Sequence, residues 1–168
     1  QMGLTFGITS DNDGTADPEL LLEEAEDLAF FLQLLAAPPR QPGADQPDVL
    51  AGEAVFAQVG CTTCHIPSLP AVVDGQTIAV RLFSDLLLHE IFPSGSVGIE
   101  SGSAGIREFR TAPLWGLSQT APYFSSGEAD TIDQAIRLHA GEATGVLAEY
   151  EALSEEDRLA LLVFLNSL

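Results

Sequence analysis

Two cysteines separated by two residues and followed at once by a histidine, Cys61-Thr62-Thr63-Cys64-His65, constrain this chain more than any other run in it. That spacing is the attachment signature of a c-type haem. Each thiol adds to one vinyl group of the porphyrin, and the two-residue gap lets both reach the same ring edge. The adjacent imidazole then lies beneath the iron as its proximal ligand. Two other uses of such cysteines compete. A structural zinc site wants four ligands in paired clusters, yet the remaining Cys and His residues are only His89 and His139. A redox disulfide wants a thioredoxin-like βαβ pattern, which the flanking sequence lacks. The motif therefore predicts one haem c, bound covalently through Cys61 and Cys64, with His65 on its iron.

A length of 168 residues suits one domain, or one domain with an extension, and 46% hydrophobic residues suffice for a core. The charge is lopsided: 25 acidic residues against 6 basic ones, all arginine, for a net charge of -19. Such a surface either keeps the protein soluble or offers a docking face to a basic redox partner. It makes nucleic acid and anionic membranes poor partners, because phosphate would be repelled. Haem attachment to CxxCH takes place outside the cytoplasmic membrane, so the expected location is periplasmic or extracellular. Gln1–Ser10 has neither the basic start nor the apolar run of a secretion signal, which reads as a processed or truncated form. No stretch is long and uncharged enough for a transmembrane helix.

Helix signals recur along the chain. Asp17-Pro18 opens a first helix carrying Leu20, Leu21, Leu28, Phe31, Leu32 and Leu35, and Pro38-Pro39 stops it. A Pro- and Gly-containing linker over 40–47 marks the boundary between an N-terminal extension, 1–45, and a c-type cytochrome domain, 46–168. Asp48 is expected to cap a second helix that ends near Gly60. Prolines and glycines break residues 66–129 into loops and short helices, with one helical piece expected within 80–92. A further helix follows Thr131, carries His139 and stops at Gly141. The last begins at Ser154 with Glu155, Glu156 and Asp157 in its first turn. The expected fold is all-α, helices and long loops around one haem.

The downstream text adds a resemblance. Phe109-Arg110-Thr111-Ala112-Pro113-Leu114-Trp115-Gly116-Leu117, then Thr120-Ala121-Pro122-Tyr123-Phe124, Ser126-Gly127 and a helix ending Ala135-Ile136-Arg137-Leu138-His139 follow one another in order. This order resembles the C-terminal haem domain of the bacterial di-haem cytochrome c peroxidase superfamily, and most closely its di-haem thiol-oxidoreductase-like branch. Ser84-Asp85-Leu86-Leu87-Leu88-His89 and Gly141-Glu142-Ala143 are similar to that branch as well. The likeness spans about residues 48–168. Met2-Gly3 and Gly7-Ile8-Thr9-Ser10 resemble a segment between the two haem domains of such proteins. Members carry two haems and this chain one CxxCH, so the resemblance implies a C-terminal portion, a separate subunit or a short relative. Ser125 departs from the histidine that many of the peroxidases carry there, and Ile91-Phe92 from a methionine common in the close branch.

The resemblance places His139 where the peroxidases have the distal ligand of this haem, which makes it the expected sixth ligand. His89 is its rival; Met2 and Tyr123 are remoter alternatives. Arg110, and less so Arg107, is expected to pair with a haem propionate in a bidentate fork. Trp115 is expected to pack beside the haem, with Pro67, Leu69, Phe83, Leu87 and Leu114 as apolar walls. Two histidines make the iron six-coordinate, and without a methionine thioether its potential is comparatively low. The first functional reading is accordingly an electron-transfer cytochrome domain serving another haem or a redox protein, with no catalytic residue required. The second is a haem oxidoreductase or peroxidase with an open or labile sixth site, in which Glu90, Glu128 or His89 would handle protons.

Overall fold

In a computed structural model of the chain, residues 20–92 and 98–168 are described. They fall in two compact units that divide after Ala36. The first holds α1, Leu22–Leu34, whose Leu21 N–H donates to the Glu24 carboxylate at 2.8 Å and which buries none of its residues. The start expected at Asp17-Pro18 lies outside the described residues.

In the second unit, α2 spans Pro47–Val59. Proline stands at its first position, where its missing N–H costs nothing, so Gln46 precedes the helix and Asp48 lies in its first turn. The cap expected at Asp48 is corrected by two residues. Gly60 ends the helix in the left-handed conformation, φ 97°, and its backbone reversal delivers the chain into the tight turn Cys61–Thr63.

The all-α expectation is overturned by two small antiparallel ladders. Strands β1, Leu69–Val73, and β2, Gln76–Val80, pair from Leu69 opposite Val80 to Val73 opposite Gln76. Asp74 and Gly75 turn between them with φ 51° and 74°, the two positive φ values that a tight two-residue hairpin requires. Strands β3, Leu88–His89, and β4, Phe109–Arg110, form a second, shorter ladder. The helical piece expected within 80–92 is absent; Phe83 and Leu86 there have φ 52° and 61°, which a right-handed helix excludes. The fold is therefore mixed, with five α-helices and two sheets among the described residues.

Helix α3, Ile132–Arg137, begins as its sequence predicts. The Thr131 hydroxyl accepts from the Gln134 N–H, and the Gln134 side chain reaches back to the Thr131 N–H. The helix is shorter than expected, so His139 stands just past its end. Helix α4, Thr144–Ala152, was not anticipated. Helix α5, Glu155–Asn166, is capped by Ser154, whose hydroxyl accepts from the Asp157 N–H.

Packing of α2 against α5 makes the core. Val49, Val55, Phe56 and Val59 face Leu161, Phe164 and Leu165, with Phe83, Ile132, Tyr150 and Leu168 completing the buried cluster. The two helices meet at Gly52, where a Cβ would collide with the Ala160 carbonyl. None of the helices is long and apolar enough to cross a membrane among the described residues.

Candidate haem site

The motif loop leaves α2 directly. The His65 N–H donates to the Cys61 carbonyl at 2.9 Å, closing the turn that spaces the two thiols. Residues 83–85 run alongside: Ser84 N–H meets the Ile66 carbonyl at 2.9 Å and Asp85 N–H the Cys64 carbonyl at 2.8 Å. Ser84 is itself fully buried, its hydroxyl donating to the Thr111 carbonyl. Both thiols are free. Burial pushes the Cys61 thiol up to about 11, and burial with the nearby charges of Asp85 and Glu142 raises Cys64. Neither is the low-pKa thiolate that a redox CxxC pair needs.

His65 and His139 lie near one another with their rings tilted. Their ring centres are 6.5 Å apart and their planes differ by 53°. Each Nδ1 lies 2.8 Å from a backbone carbonyl, that of Phe83 for His65 and that of Ala135 for His139. A carbonyl only accepts, so in both rings the proton sits on Nδ1 and the Nε2 lone pair is left free. Burial lowers both histidines, His65 to about 4, and keeps the rings neutral at physiological pH. An imidazole nitrogen binds a metal at about 2 Å, so two rings on one ion have centres roughly 6 Å apart. The spacing, the tautomers and the protonation state all suit an iron held between these rings.

Aromatic side chains back each histidine. Phe56 lies 6.3 Å from the His65 ring and also touches Phe83 and Phe164. Phe124 lies 5.8 Å from the His139 ring and leads on to Phe92 and Phe109. The second group joins distant segments, and only the Tyr123-Phe124 motif hinted at it.

Other expected site residues are placed as follows. Arg110 is exposed on β4, opposite Leu88, and makes no ion pair among the described residues. Arg107 pairs with Glu90 at 3.3 Å. The Trp115 indole N–H donates to the Arg81 carbonyl at 2.7 Å, two residues from the carbonyl that holds His65, and the ring lines a small cavity with Pro38, Arg40 and Phe83. Leu87 is 60% exposed, whereas Phe83 belongs to the core. Both nitrogens of His89 face carboxylates. Cys64, Asp85 and His89 could together offer three ligand atoms within 4.8 Å of one another, one fewer than a closed zinc site needs. Met2 lies outside the described residues.

The model of the family described as di-haem oxidoreductase, putative peroxidase, matches residues 3–168. The chain belongs to this family. Membership bears out the resemblance, read over about residues 48–168 with further motifs near the start of the chain, and covers residues 3–168. It also implies haem binding and makes oxidoreduction the general chemistry of the family. No curated protein matches the chain.

Proposed function

We propose that the second unit is an electron-transfer centre of a di-haem oxidoreductase, holding one haem through Cys61 and Cys64 with His65 and His139 as its axial ligands. The carrying observation is the neighbouring pair of neutral imidazoles, each fixed by Nδ1 to a backbone carbonyl. When bound, the haem supplies a one-electron couple, kept at a low potential by two nitrogen ligands. The residues of the chain do the rest. The Phe83 and Ala135 carbonyls fix tautomer and ring direction, so little reorganisation accompanies a change of charge. Phe56 and Phe124 exclude water from either side. Arg110, exposed and without a described partner, is free to pair with a propionate. His89 is a weaker candidate for the sixth position than His139, since both its nitrogens are engaged.

Electrons would pass to or from another haem or a redox protein, and a net charge of -19 favours a basic partner face. Covalent attachment places the protein in the periplasm or outside the cell. The test is the spectrum of the dithionite-reduced protein before and after carbon monoxide, in the parent and in His139→Ala. A parent that binds carbon monoxide only slowly, at a rate set by departure of its own ligand, and a variant that binds it at once support the reading. Immediate binding by the parent refutes it and moves an open-site peroxidase to the front.

A further inference from the structure

His89 has no task in that reading, yet it is held at both ends. Its Nε2 lies 2.9 Å from Asp85 Oδ2 and its Nδ1 2.9 Å from Glu142 Oε2. Carboxylates only accept, and a neutral imidazole has one N–H, so satisfying both contacts takes an imidazolium. Hydrogen bonds to the two acids are also what raise its pKa.

Each end of this bridge belongs to a different side of the site. Asp85 is tied to the attachment loop, its N–H on the Cys64 carbonyl and its Oδ1 accepting from Leu87 N–H. Glu142 belongs to the turn that carries His139. Its Oε1 accepts from Glu90 N–H at 2.8 Å, its own N–H donates to the Glu90 carbonyl at 2.9 Å, and Ala140 N–H donates to the Ile91 carbonyl at 2.6 Å. Gly141 has φ 56°, and a Cβ there would strike the Glu90 carbonyl. The turn can lie this close to residues 89–91 only with glycine at that position. Among the described ion pairs, no arginine reaches Asp85 or Glu142; Arg107 goes to Glu90. His89 is thus the one cation paired with both acids there, and removing it leaves two like charges facing a shared gap.

We propose that His89 is a positioning residue: hydrogen-bonded to Asp85 and Glu142, it latches the His139 turn to the Cys61–His65 loop and keeps His139 seated opposite His65. The latch rests on the assignment of His139 as sixth ligand. It predicts that the occupancy of the sixth position depends on His89 and Glu142, neither of which is hydrogen-bonded to an axial ring among the described residues.

The test uses the full haem-bound chain, reduced and mixed with carbon monoxide at rising concentration. Where a protein ligand must leave first, the rate levels off at the rate of its departure. His89→Gln and Glu142→Gln should each raise that limiting rate about tenfold, the size of one charge-assisted hydrogen bond. The double variant should add little beyond the larger single effect, because one bridge is lost either way. Amide exchange at Ala140 and Glu142 should quicken in both variants while exchange in α5 stays as in the parent. Limiting rates within twofold of the parent, with unchanged exchange at those two amides, overturn the latch. Acceleration of exchange throughout α5 also overturns it, by showing general unfolding instead of a released turn. A parent whose rate rises with carbon monoxide without levelling off refutes His139 as ligand; the amide exchange then still decides whether His89 holds the turn.

Discussion

Replacing Gly52 with alanine sets two opposed effects against each other at the centre of the fold. In a solvent-facing helix the change would be favourable, because alanine loses less backbone freedom on folding, a gain of about 1 kcal/mol. At Gly52 the new methyl would collide with the Ala160 carbonyl oxygen and lie 2.7 Å from both the Ala160 carbonyl carbon and Phe164 Cβ. Carbon atoms rest at about 3.5–4.0 Å, so α5 must retreat by roughly 1 Å, and a gap of that size forfeits up to about half of the attraction between facing atoms. The obstructing atoms are backbone and Cβ, which cannot rotate aside. Overpacking of this kind costs about 3 kcal/mol at the unfavourable end of its range. The net expectation is a loss of about 2 kcal/mol, or about 4–8 °C in Tm. Gly145 is the internal control: it lies in the first turn of α4 with nothing within 4 Å of its would-be Cβ, so Gly145→Ala should be neutral or stabilising by up to about 1 kcal/mol. Thermal and urea unfolding, followed by the helical circular dichroism signal, measure both. A Gly52→Ala protein as stable as the parent would refute the close approach of α2 and α5.

Two further outcomes follow from the packing and the charges. Phe56→Ala removes the ring that joins His65, Phe83 and Phe164, and should cost about 3–5 kcal/mol in urea unfolding; a loss below about 1 kcal/mol would contradict its place in the core. Asp133 is held below the usual carboxylate range, chiefly by the Arg137 guanidinium and then by the Tyr150 hydroxyl. Its folded pKa lies below the unfolded value of about 3.9, so its stabilising contribution is complete above that value and disappears as pH falls through the folded one. Asp133→Asn should therefore be less stable than the parent at pH 6, with the difference shrinking in acid; a constant difference down to pH 2 would rule out that ionisation as the source.

Local signals carried a large part of this protein. The capping pattern at Thr131 and the acidic turn after Ser154 announced α3 and α5, because caps satisfy backbone groups within three residues of themselves. Gly60 announced the end of α2 for the same reason. The Asp74-Gly75 pair, with Val72 and Val73 before it and Thr77 and Ile78 soon after, was an equally local hairpin signal for β1 and β2. Strands β3 and β4 instead pair across a long separation in sequence. Phe83 and Leu86 could not be read that way. Their positive φ accompanies the hydrogen bonds of Ser84 and Asp85 to the motif loop and of the Leu86 N–H to Ser84 Oγ, a tertiary setting that overrides intrinsic preference.

The sequence by itself determined the chemistry on offer: two thiols and an imidazole at the spacing a haem requires, within a chain whose later motifs mark its family. It could do so because a CxxCH motif and first-turn capping are short-range patterns that tolerate little variation in spacing. Tertiary structure alone decided what the other two histidines contact. His139 lies near the His65 ring with Nε2 free, whereas His89 has both nitrogens engaged. That difference arises from the Ala135 carbonyl in one case and two carboxylates from separate segments in the other. Hydrogen-bond partners brought together by folding, and not residue type, separate a candidate iron ligand from a candidate latch.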